Sequence, residues 1–348
     1  MARVSKILIC GFGVFGELHA RAWRRLDPDI SLMVADPSPE ARRKAVQFGI
    51  PDDWVAADPV RLLSIADVVD VVAPPALHLP LALMGLREGK PVMIEKPAVR
   101  TVEEARQLVA ACDETDKPVQ IGFVLRAHPL TQEARRLLSE GEIGELIAID
   151  GNFSGWKRMR ADSSLLENDG VHFLDLMRFL ASAPALEVDV RAWSLLDAEV
   201  NDDLLVEIRH ANGVRARLHL GILMAGEVED PFVPSALTSK RLTLIGRTGN
   251  IAIDFNRNQM ILSKVAYQRK PGGHDVSPQS VMSRSAINAT PETLLAQSFR
   301  LFRSAVEEGA PVMCDARTGA LEMTETLAAA DRALAEGKTT LVGIGDFS

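Results

Sequence analysis

A glycine-rich turn near the N-terminus constrains the fold of this chain more than any other feature. The apolar run 7–10 leads into Gly11-Phe-Gly-Val-Phe-Gly16, and good helix formers follow over 17–26. A second apolar run, 31–35, ends at Asp36, twenty residues after the last glycine of the turn. This order is typical of a dinucleotide-binding βαβ unit, which has a strand, a Gly-x-Gly-x-x-Gly turn, a helix, a second strand and then an acidic residue.

Each position of this turn has a predicted task. We expect Gly11 to permit the tight turn, Gly13 to let the backbone approach a pyrophosphate, and Gly16 to let helix and strand pack closely. The first N–H groups of the helix would bind the phosphates, so the expected loop also includes Phe12, Val14 and Phe15.

Asp36 predicts the type of cofactor. Its carboxylate would accept hydrogen bonds from the adenosine ribose and would repel a 2′-phosphate. The residues directly after it are Pro37-Ser38-Pro39, with no Arg or Lys among them. The sequence therefore favours NAD over NADP.

Strands and helices alternate up to about residue 122. Strands are predicted over 68–73, 91–94 and 119–122, with helices over 77–88 and from a capping box at Thr101–Glu104. This repetition predicts an α/β Rossmann domain, with a parallel, doubly wound sheet, over residues 1–124.

The pattern changes in the second half, where few helices separate the strands. We expect three helices, near 130–139, 293–308 and 317–336, and a long loop over 268–292. Strands are expected between the first helix and the loop, near 146–154, 188–197, 203–210, 214–223, 241–246 and 258–265. Residues 125–348 should therefore form an α+β domain with an open-faced, largely antiparallel sheet for substrate binding and oligomerisation. One buried face of that sheet is suggested by its apolar residues Val206, Ile208, Leu218, Leu220 and Ile222. The other face, if apolar, would need a partner subunit to cover it.

Composition excludes several classes of protein. The chain has 348 residues, 47% of them hydrophobic and 25% charged, and a net charge of −8, which argues against nucleic-acid binding. The 3 cysteines form no C-x-x-C pair, and the histidines show no metal-ligand spacing, so we expect a reducing, cytoplasmic location and no metal. We expect neither a signal peptide nor a membrane span, since the chain enters its first strand at once and has no long apolar run.

Two further motifs carry chemistry. Glu95-Lys96-Pro97 directly follows the predicted strand at 91–94, where the carboxyl ends of parallel strands face a ligand crevice. His172 lies in the run 168–175, which opens another predicted helix, and a histidine titrates near neutral pH. Hydride transfer is the chemistry that these features predict together, since the chain has a nucleotide-binding loop, a lysine at the end of a strand and a histidine at the start of a helix.

The chain resembles the Gfo/Idh/MocA oxidoreductases, the family of glucose–fructose oxidoreductase and inositol dehydrogenase. The resemblance covers essentially the whole chain and rests on the glycine loop, Pro74-Pro75 with His78, Glu95-Lys96-Pro97, Gly141-Glu-Ile-Gly-Glu145, Gly170-x-His172-x-x-Asp175 and Leu244-Ile-Gly-x-x-Gly249. It implies that a Rossmann domain is paired with an open-faced sheet domain, and that one carbon of a sugar or cyclitol is oxidised or reduced. It also implies that Lys96 polarises the reacting oxygen, that His172 is the general base, and that the peptide before Pro97 is often cis.

The chain departs from the family pattern at Asn168, where catalytic members usually carry Asp. An amide cannot take a proton, so Asn168 can only orient the substrate or the imidazole, and Asp169 or Asp175 would supply a carboxylate. Helical spacing places Asn168, His172 and Asp175 on one stripe, away from the core.

Other candidates are weaker. Four residues are expected to line the cofactor, namely Pro74, His78, Glu95 and Lys96, although helix capping is an equal prediction for His78. Arg126 is a candidate substrate contact, but a hydrogen bond linking the domains is the simpler interpretation. We expect His19, on the first helix, to be solvated rather than functional.

The segment that contains Trp156, Lys157 and Arg158 has two interpretations. It could grip an anionic substrate beside a stacked indole, or it could be an ordinary solvated basic loop, which we favour.

The sequence as a whole predicts an NAD-dependent oxidoreductase that transfers a hydride to or from a carbinol or keto carbon of a sugar, sugar derivative or cyclitol. An NAD-dependent glycosidase and a non-catalytic NAD- or sugar-binding regulator are the alternatives. We expect a homodimer or homotetramer as the assembled state.

Overall fold

A computed structural model describes residues 3–157, 164–196, 200–233 and 235–343. The chain forms two compact units, one of residues 1–127 with 291–324 and the other of residues 128–290 with 325–348. The first unit thus includes a late segment that the sequence prediction assigned, with the rest of 125–348, to the second domain. Within the described ranges, no helix is long and apolar enough to cross a membrane.

The first unit is a Rossmann fold, as predicted. Its six-stranded sheet has the order β3-β2-β1-β4-β5-β6, and every pair is parallel. The strands are β1 (Lys6–Cys10), β2 (Ser31–Ala35), β3 (Val55–Ala56), β4 (Val68–Val71), β5 (Val92–Ile94) and β6 (Val119–Ile121). The helices between them are α1 (Val14–Leu26), α2 (Pro39–Gln47), α3 (Val60–Leu63), α4 (His78–Arg87) and α5 (Val102–Thr115).

Aromatic packing explains why a late helix belongs to this unit. In α8 (Pro291–Glu308), Phe299 stacks on Trp23 of α1 with ring centroids 4.3 Å apart, and both side chains are fully buried. A π-helical turn at Arg317–Leu321 follows, and Ile121 donates its N–H to the Cys314 carbonyl. Sequence alternation could not reveal this return, because both partners read as ordinary amphipathic helices.

The second unit contains a mixed, largely antiparallel sheet, as predicted. Its main path has the order β15-β14-β13-β12-β7-β10-β9-β8-β16, with β11 paired to β12. Among the strands that the structure describes, only β7 and β10 pair in parallel. The strands are β7 (Leu146–Trp156), β8 (Ala185–Trp193), β9 (Asp203–His210), β10 (Arg215–Gly221), β11 (Val228–Glu229), β12 (Leu237–Gly246), β13 (Gly249–Asp254), β14 (Gln259–Lys270), β15 (Gly273–Ser285) and β16 (Thr340–Leu341). The helices are α6 (Pro129–Ser139), α7 (Val171–Ala181) and α9 (Glu322–Glu336), of which α9 begins at the edge of the first unit.

The predicted loop over 268–292 is wrong for most of its length. Strand β14 runs to Lys270, turns at Gly272 with a φ of +86°, and pairs along its length with β15. All thirteen residues of β15 are exposed, so no alternation of apolar and polar residues marks it as a strand. Backbone pairing with β14 determines its structure.

Two glycines seat helix α7 on the sheet. A Cβ at Gly151 of β7 would lie 2.6 Å from the Met177 side chain, and one at Gly170 would lie 2.7 Å from Leu220 of β10. Because neither residue has a side chain, α7 packs closely over the inner face of the sheet. This close packing fixes the position of the segment that carries His172.

Candidate functional site

The glycine turn after β1 has the geometry of a phosphate-binding loop. Gly11 has a φ of +104°, and a Cβ there would lie 2.7 Å from the Val72 carbonyl oxygen of the loop after β4. A Cβ at Gly16 would clash with the Gly11 carbonyl oxygen, whereas one at Gly13 would meet nothing within 4 Å. Helix α1 begins at Val14 with no side-chain cap, so its first N–H groups face this open space and fit a pyrophosphate.

The remaining residues of this loop divide into two groups. Val14 and Phe15 are exposed at the start of α1, and Pro74 is exposed in the neighbouring loop. Phe12 is fully buried and packs edge-on against Phe48, so its side chain belongs to the core. Only the main chain of Phe12 serves the loop.

Asp36 is held in one orientation after β2. One carboxylate oxygen accepts the N–H of Phe12 at 2.8 Å, and the other accepts the N–H of Ser38 at 2.8 Å. Arg42 of α2, which the sequence prediction missed, donates to the main-chain carbonyls of Asp36 and Pro37 at 2.8 Å each. Each carboxylate oxygen keeps lone pairs for a ribose hydroxyl.

Lys96 lies in a segment held on both sides by hydrogen bonds. Glu95 accepts the main-chain N–H of Lys96 at 3.0 Å, and the Lys96–Pro97 peptide is cis. His78, 1% exposed, has one ring nitrogen 2.7 Å from the Pro97 carbonyl oxygen and the other 2.7 Å from the Ala73 carbonyl oxygen. His78 therefore ties the loop after β4 to the lysine segment after β5.

The prediction that His19 is solvated is wrong. His19 is 0% exposed, with Nδ1 at 3.0 Å from Asp70 of β4 and Nε2 at 3.2 Å from Glu95. Burial alone would lower the pKa of this imidazole, but the charges and hydrogen bonds of Asp70 and Glu95 raise the pKa to about 10. We call these three residues the histidine–carboxylate network.

Asp70 also carries a signal that the sequence analysis did not use. It is the only charged residue in the buried strand β4, whose four residues are all buried. A carboxylate at such a position needs a partner, and Trp23 donates its indole N–H to Asp70 at 2.8 Å in addition to the contact with His19.

In the second unit, His172 is the second residue of α7 and is half-buried. The preceding residues, Leu166–Gly170, form a π-helical turn, a form often found at functional sites, so α-helical spacing does not relate Asn168 to His172. Asp175 is 0% exposed, so its predicted place on an outward stripe is wrong. Helix α7 is buried on both sides.

Asp169 already has a cationic partner within this unit. Lys157 forms a hydrogen-bonded ion pair with it, and the lysine side chain is 7% exposed. Lys157 is therefore not a solvated cation, and its part in gripping an anionic substrate stays a prediction. Trp156 is 60% exposed and donates its indole N–H to the Leu223 carbonyl at 3.1 Å, while Arg158 lies outside the described residues.

A second buried ion pair lies beside the first and was missed from sequence. Lys240 of β12 contacts Asp230 at 2.7 Å, with side chains 6% and 0% exposed. The Nζ atoms of Lys157 and Lys240 lie 4.5 and 4.9 Å from the Phe153 ring centroid. We call Lys157, Asp169, Lys240 and Asp230 the two-lysine network.

Burial has opposite outcomes for the two members of the Lys240 pair. It lowers the pKa of Lys240 in spite of Asp230, whereas the charge and hydrogen bonds of Lys240 keep the pKa of Asp230 low in spite of burial. The sequence did contain a signal, because Lys240 shares the buried row of β12, formed by every second residue, with Thr238, Leu242 and Leu244.

Arg126 occupies a buried position in the first unit. It is 2% exposed and donates to the Met313 carbonyl oxygen at 2.8 Å, so this hydrogen bond lies within one unit rather than between domains. The substrate contact of Arg126 stays a prediction. Among the residues that the structure describes, no group of three or more His, Cys, Asp or Glu side chains could hold a metal ion.

Two family models match most of the chain. One, described as an oxidoreductase family with an NAD-binding Rossmann fold, matches residues 5–123, and the C-terminal domain of the same GFO/IDH/MocA family matches residues 131–252. The chain belongs to the GFO/IDH/MocA oxidoreductase family. It is therefore a dehydrogenase or reductase that acts on CH–OH groups, with a domain that binds a nicotinamide dinucleotide.

Curated relatives and solved structures agree with this family. An inositol 2-dehydrogenase of Corynebacterium glutamicum is 27% identical over 239 residues, which are 64% of this chain and 68% of that protein. A scyllo-inositol 2-dehydrogenase (NAD(+)) of Bacillus subtilis is 25% identical over 274 residues, which are 75% and 77% of the two chains. A levoglucosan dehydrogenase in complex with NADH has the same fold, with a TM-score of 0.81 and 18% identity over 98% of this chain and 99% of that chain.

Proposed function

We propose that this GFO/IDH/MocA oxidoreductase transfers a hydride between NAD and a carbinol or keto carbon of a sugar, sugar derivative or cyclitol. The observation that carries the proposal is Lys96, held by Glu95 and by the His78–Pro97 hydrogen bond in the same unit as the glycine loop and Asp36. The named activities of the inositol dehydrogenases support the substrate class.

The protein's own side chains divide the proton chemistry. In this proposal Lys96 donates a hydrogen bond to the reacting oxygen and stabilises negative charge as it develops. His172 takes the hydroxyl proton in oxidation and returns it in reduction. Asn168 orients without exchanging a proton, since an amide has no acidic form near neutral pH. When bound, the nicotinamide supplies or accepts the hydride.

We further propose that NAD binds better than NADP. Both carboxylate oxygens of Asp36 are fixed by main-chain N–H groups, so a 2′-phosphate would meet a carboxylate that cannot turn away. Asp36→Ala should weaken the preference by roughly 1–3 kcal/mol, the range for a lost hydrogen bond to a charged group. Fluorescence titration with NADH and NADPH measures this, with Arg42→Ala as the companion variant, and tighter NADPH binding to the native chain would contradict the preference.

Self-association is the remaining part of the proposal, as a homodimer or homotetramer. The β14–β15 hairpin exposes apolar side chains, among them Tyr267, Val276 and Val281 at 56%, 58% and 71%. Exposed apolar side chains grouped in this way mark an interaction surface. Light scattering of the native chain and of Val281→Glu tests it, and a native monomer at micromolar concentration would reject it.

The experiment that tests the function is a spectrophotometric screen with NAD. Free inositols, aldoses, sugar acids, sugar phosphates and aryl glycosides are each mixed with enzyme and NAD, and the NADH absorbance band and aglycone release are followed. Growth of that band with one class of polyol supports the proposal. Release of an aglycone without net NADH would favour the glycosidase instead, and cofactor binding without turnover on any substrate would favour the regulator.

A further inference from the structure

We propose that His19 is a positioning residue for Lys96, which it holds in place through Glu95 as a charged imidazolium. The inference rests on the proposed function, in which Lys96 contacts the reacting oxygen. His19 lies on α1, whose N-terminus the glycine loop forms, so one helix would serve both the cofactor and the lysine.

Hydrogen-bond chemistry identifies the charge state of His19. Nδ1 lies 3.1 and 3.0 Å from the two Asp70 oxygens, and Nε2 lies 3.2 Å from Oε1 of Glu95. An ionised carboxylate only accepts hydrogen bonds, so both ring nitrogens must donate, and only the imidazolium has two N–H groups.

Glu95 transmits the position of His19 to the lysine. Its Oε1 faces His19 while its Oε2 accepts the main-chain N–H of Lys96 at 3.0 Å. On the opposite side, a Cβ at Gly122 would lie 2.6 Å from the same Oε1, so the absence of a side chain there leaves room for this carboxylate. The Glu95 side chain is thereby confined to one arrangement, with each oxygen assigned to a different partner.

The surroundings of His19 contain few other groups that titrate. Asp70 on β4 and Glu95 after β5 are the charged groups that contact it, while Phe299 of α8 covers it with ring centroids 5.1 Å apart. The nearby Cys10 thiol is uncharged, because burial, with the charge of Asp70, raises its pKa to about 12. Since the described residues contain no metal-binding group of side chains, an ion-paired histidine is the interpretation that fits.

The charge on His19 also controls the charge beside Lys96. Burial alone would raise the pKa of Glu95, but the hydrogen bond and charge of His19, together with the charge of Lys96, lower it. Without the imidazolium, a buried Glu95 should take up a proton closer to neutral pH. Lys96 would then lose both a fixed main chain and the negative charge next to it.

The test compares His19→Gln with Trp23→Phe in the NAD-loaded enzyme, using the best polyol from the substrate screen. Both residues are fully buried and both donate to Asp70, but Trp23 has no hydrogen bond to Glu95. We expect His19→Gln to lower kcat by roughly ten- to a hundredfold, the scale for a misplaced catalytic group, with KM and NAD affinity nearly unchanged.

We also expect a new loss of activity at acid pH as Glu95 protonates, and Glu95→Gln should remove that pH dependence. Trp23→Phe should retain native kcat and pH profile.

The possible outcomes separate this inference from the proposed function. Native kcat and pH profile in His19→Gln, with a large loss in Lys96→Ala, would overturn this inference alone. Native turnover in Lys96→Ala would overturn the role proposed for Lys96 and this inference with it, whereas no NADH formation by the native chain with any polyol would overturn the proposed function. If His19→Gln fails to fold, nitrogen-15 NMR of the native imidazoles decides, because a doubly protonated His19 ring at pH 8 supports the proposal and a neutral ring overturns it.

Discussion

The two units each place a buried charge network beside a candidate catalytic residue, and the networks are built differently. In the first, one imidazolium is shared by Asp70 on β4 and Glu95, which directly follows the neighbouring parallel strand β5 and precedes Lys96. In the second, two lysines each pair with one carboxylate, and Asp169 of the first pair lies one turn before His172. The first network depends on a single shared cation, whereas the second divides its charges into two matched pairs.

This difference teaches where each network is vulnerable. Removing His19 would leave two carboxylates without their shared partner, next to the lysine that the proposed chemistry uses. Removing Lys240 would leave one carboxylate, with a second lysine across the Phe153 ring. We therefore expect damage to the first network to appear mainly in catalysis and damage to the second mainly in stability.

The largest expected effects concern the candidate catalytic residues themselves. Lys96→Ala and His172→Ala should each lower turnover by roughly 10²–10⁴-fold, the range for acid–base groups. NAD affinity should stay nearly native in both, because neither residue belongs to the glycine loop. Steady-state kinetics with a NAD titration measures this. Native turnover in His172→Ala would move the search for the base to Asp169 or Asp175, and a faster Asn168→Asp variant would identify the asparagine as a handicap.

The next effect is on stability in the second network. Lys240→Ala should lower the free energy of unfolding by about 3–5 kcal/mol, because it leaves Asp230 charged and buried. Arg217 pairs with Asp150 through exposed side chains on two neighbouring strands of the same sheet and is the matched control, for which we expect about 1 kcal/mol or less. Denaturant unfolding compares the two variants, and equal losses would show that burial of the Lys240 pair carries no special weight.

The pH dependence of stability should distinguish the networks. The pKa of His19 is raised from 6.5 to about 10 in the folded chain, so its stabilisation is full below pH 6.5 and is lost as the pH rises through 10. The melting-temperature gap between native chain and His19→Gln should therefore shrink over that interval. The pKa of Lys240 is lowered on folding, so its contribution changes in the opposite direction as the pH rises. A gap for His19→Gln that is constant with pH would argue against a charged His19.

The smallest expected effect is that of salt on substrate binding. Because Lys157 is buried and already paired with Asp169, it should attract an anionic substrate only weakly. We expect KM for the best substrate to change little with ionic strength, and Lys157→Ala to affect stability more than KM. A KM that rises steeply with salt, as expected for screened charges, would instead support the anion grip.

Sequence reasoning recovered features that depend on neighbours along the chain. The glycine loop, Asp36 and the lysine at the end of β5 are local patterns, and the structure has the predicted elements around them. The networks were missed because their members lie far apart in sequence, as His19 and Glu95 do, and no periodicity connects them. The strand β15 was missed for another reason, since an entirely exposed strand has no alternation to detect.

The exposed hairpin has a consequence for how the protein avoids misassembly. Strand β15 is the terminal strand of its sheet, and an outer edge of unpaired main-chain groups invites further strands to add. Pro278 lies within β15, and a register shift between Lys264 and Val265 of β14 lies opposite it. A proline and an irregularity in an edge strand both disfavour growth of the sheet by one chain adding to the next, while the flat sides of the hairpin stay open to contact.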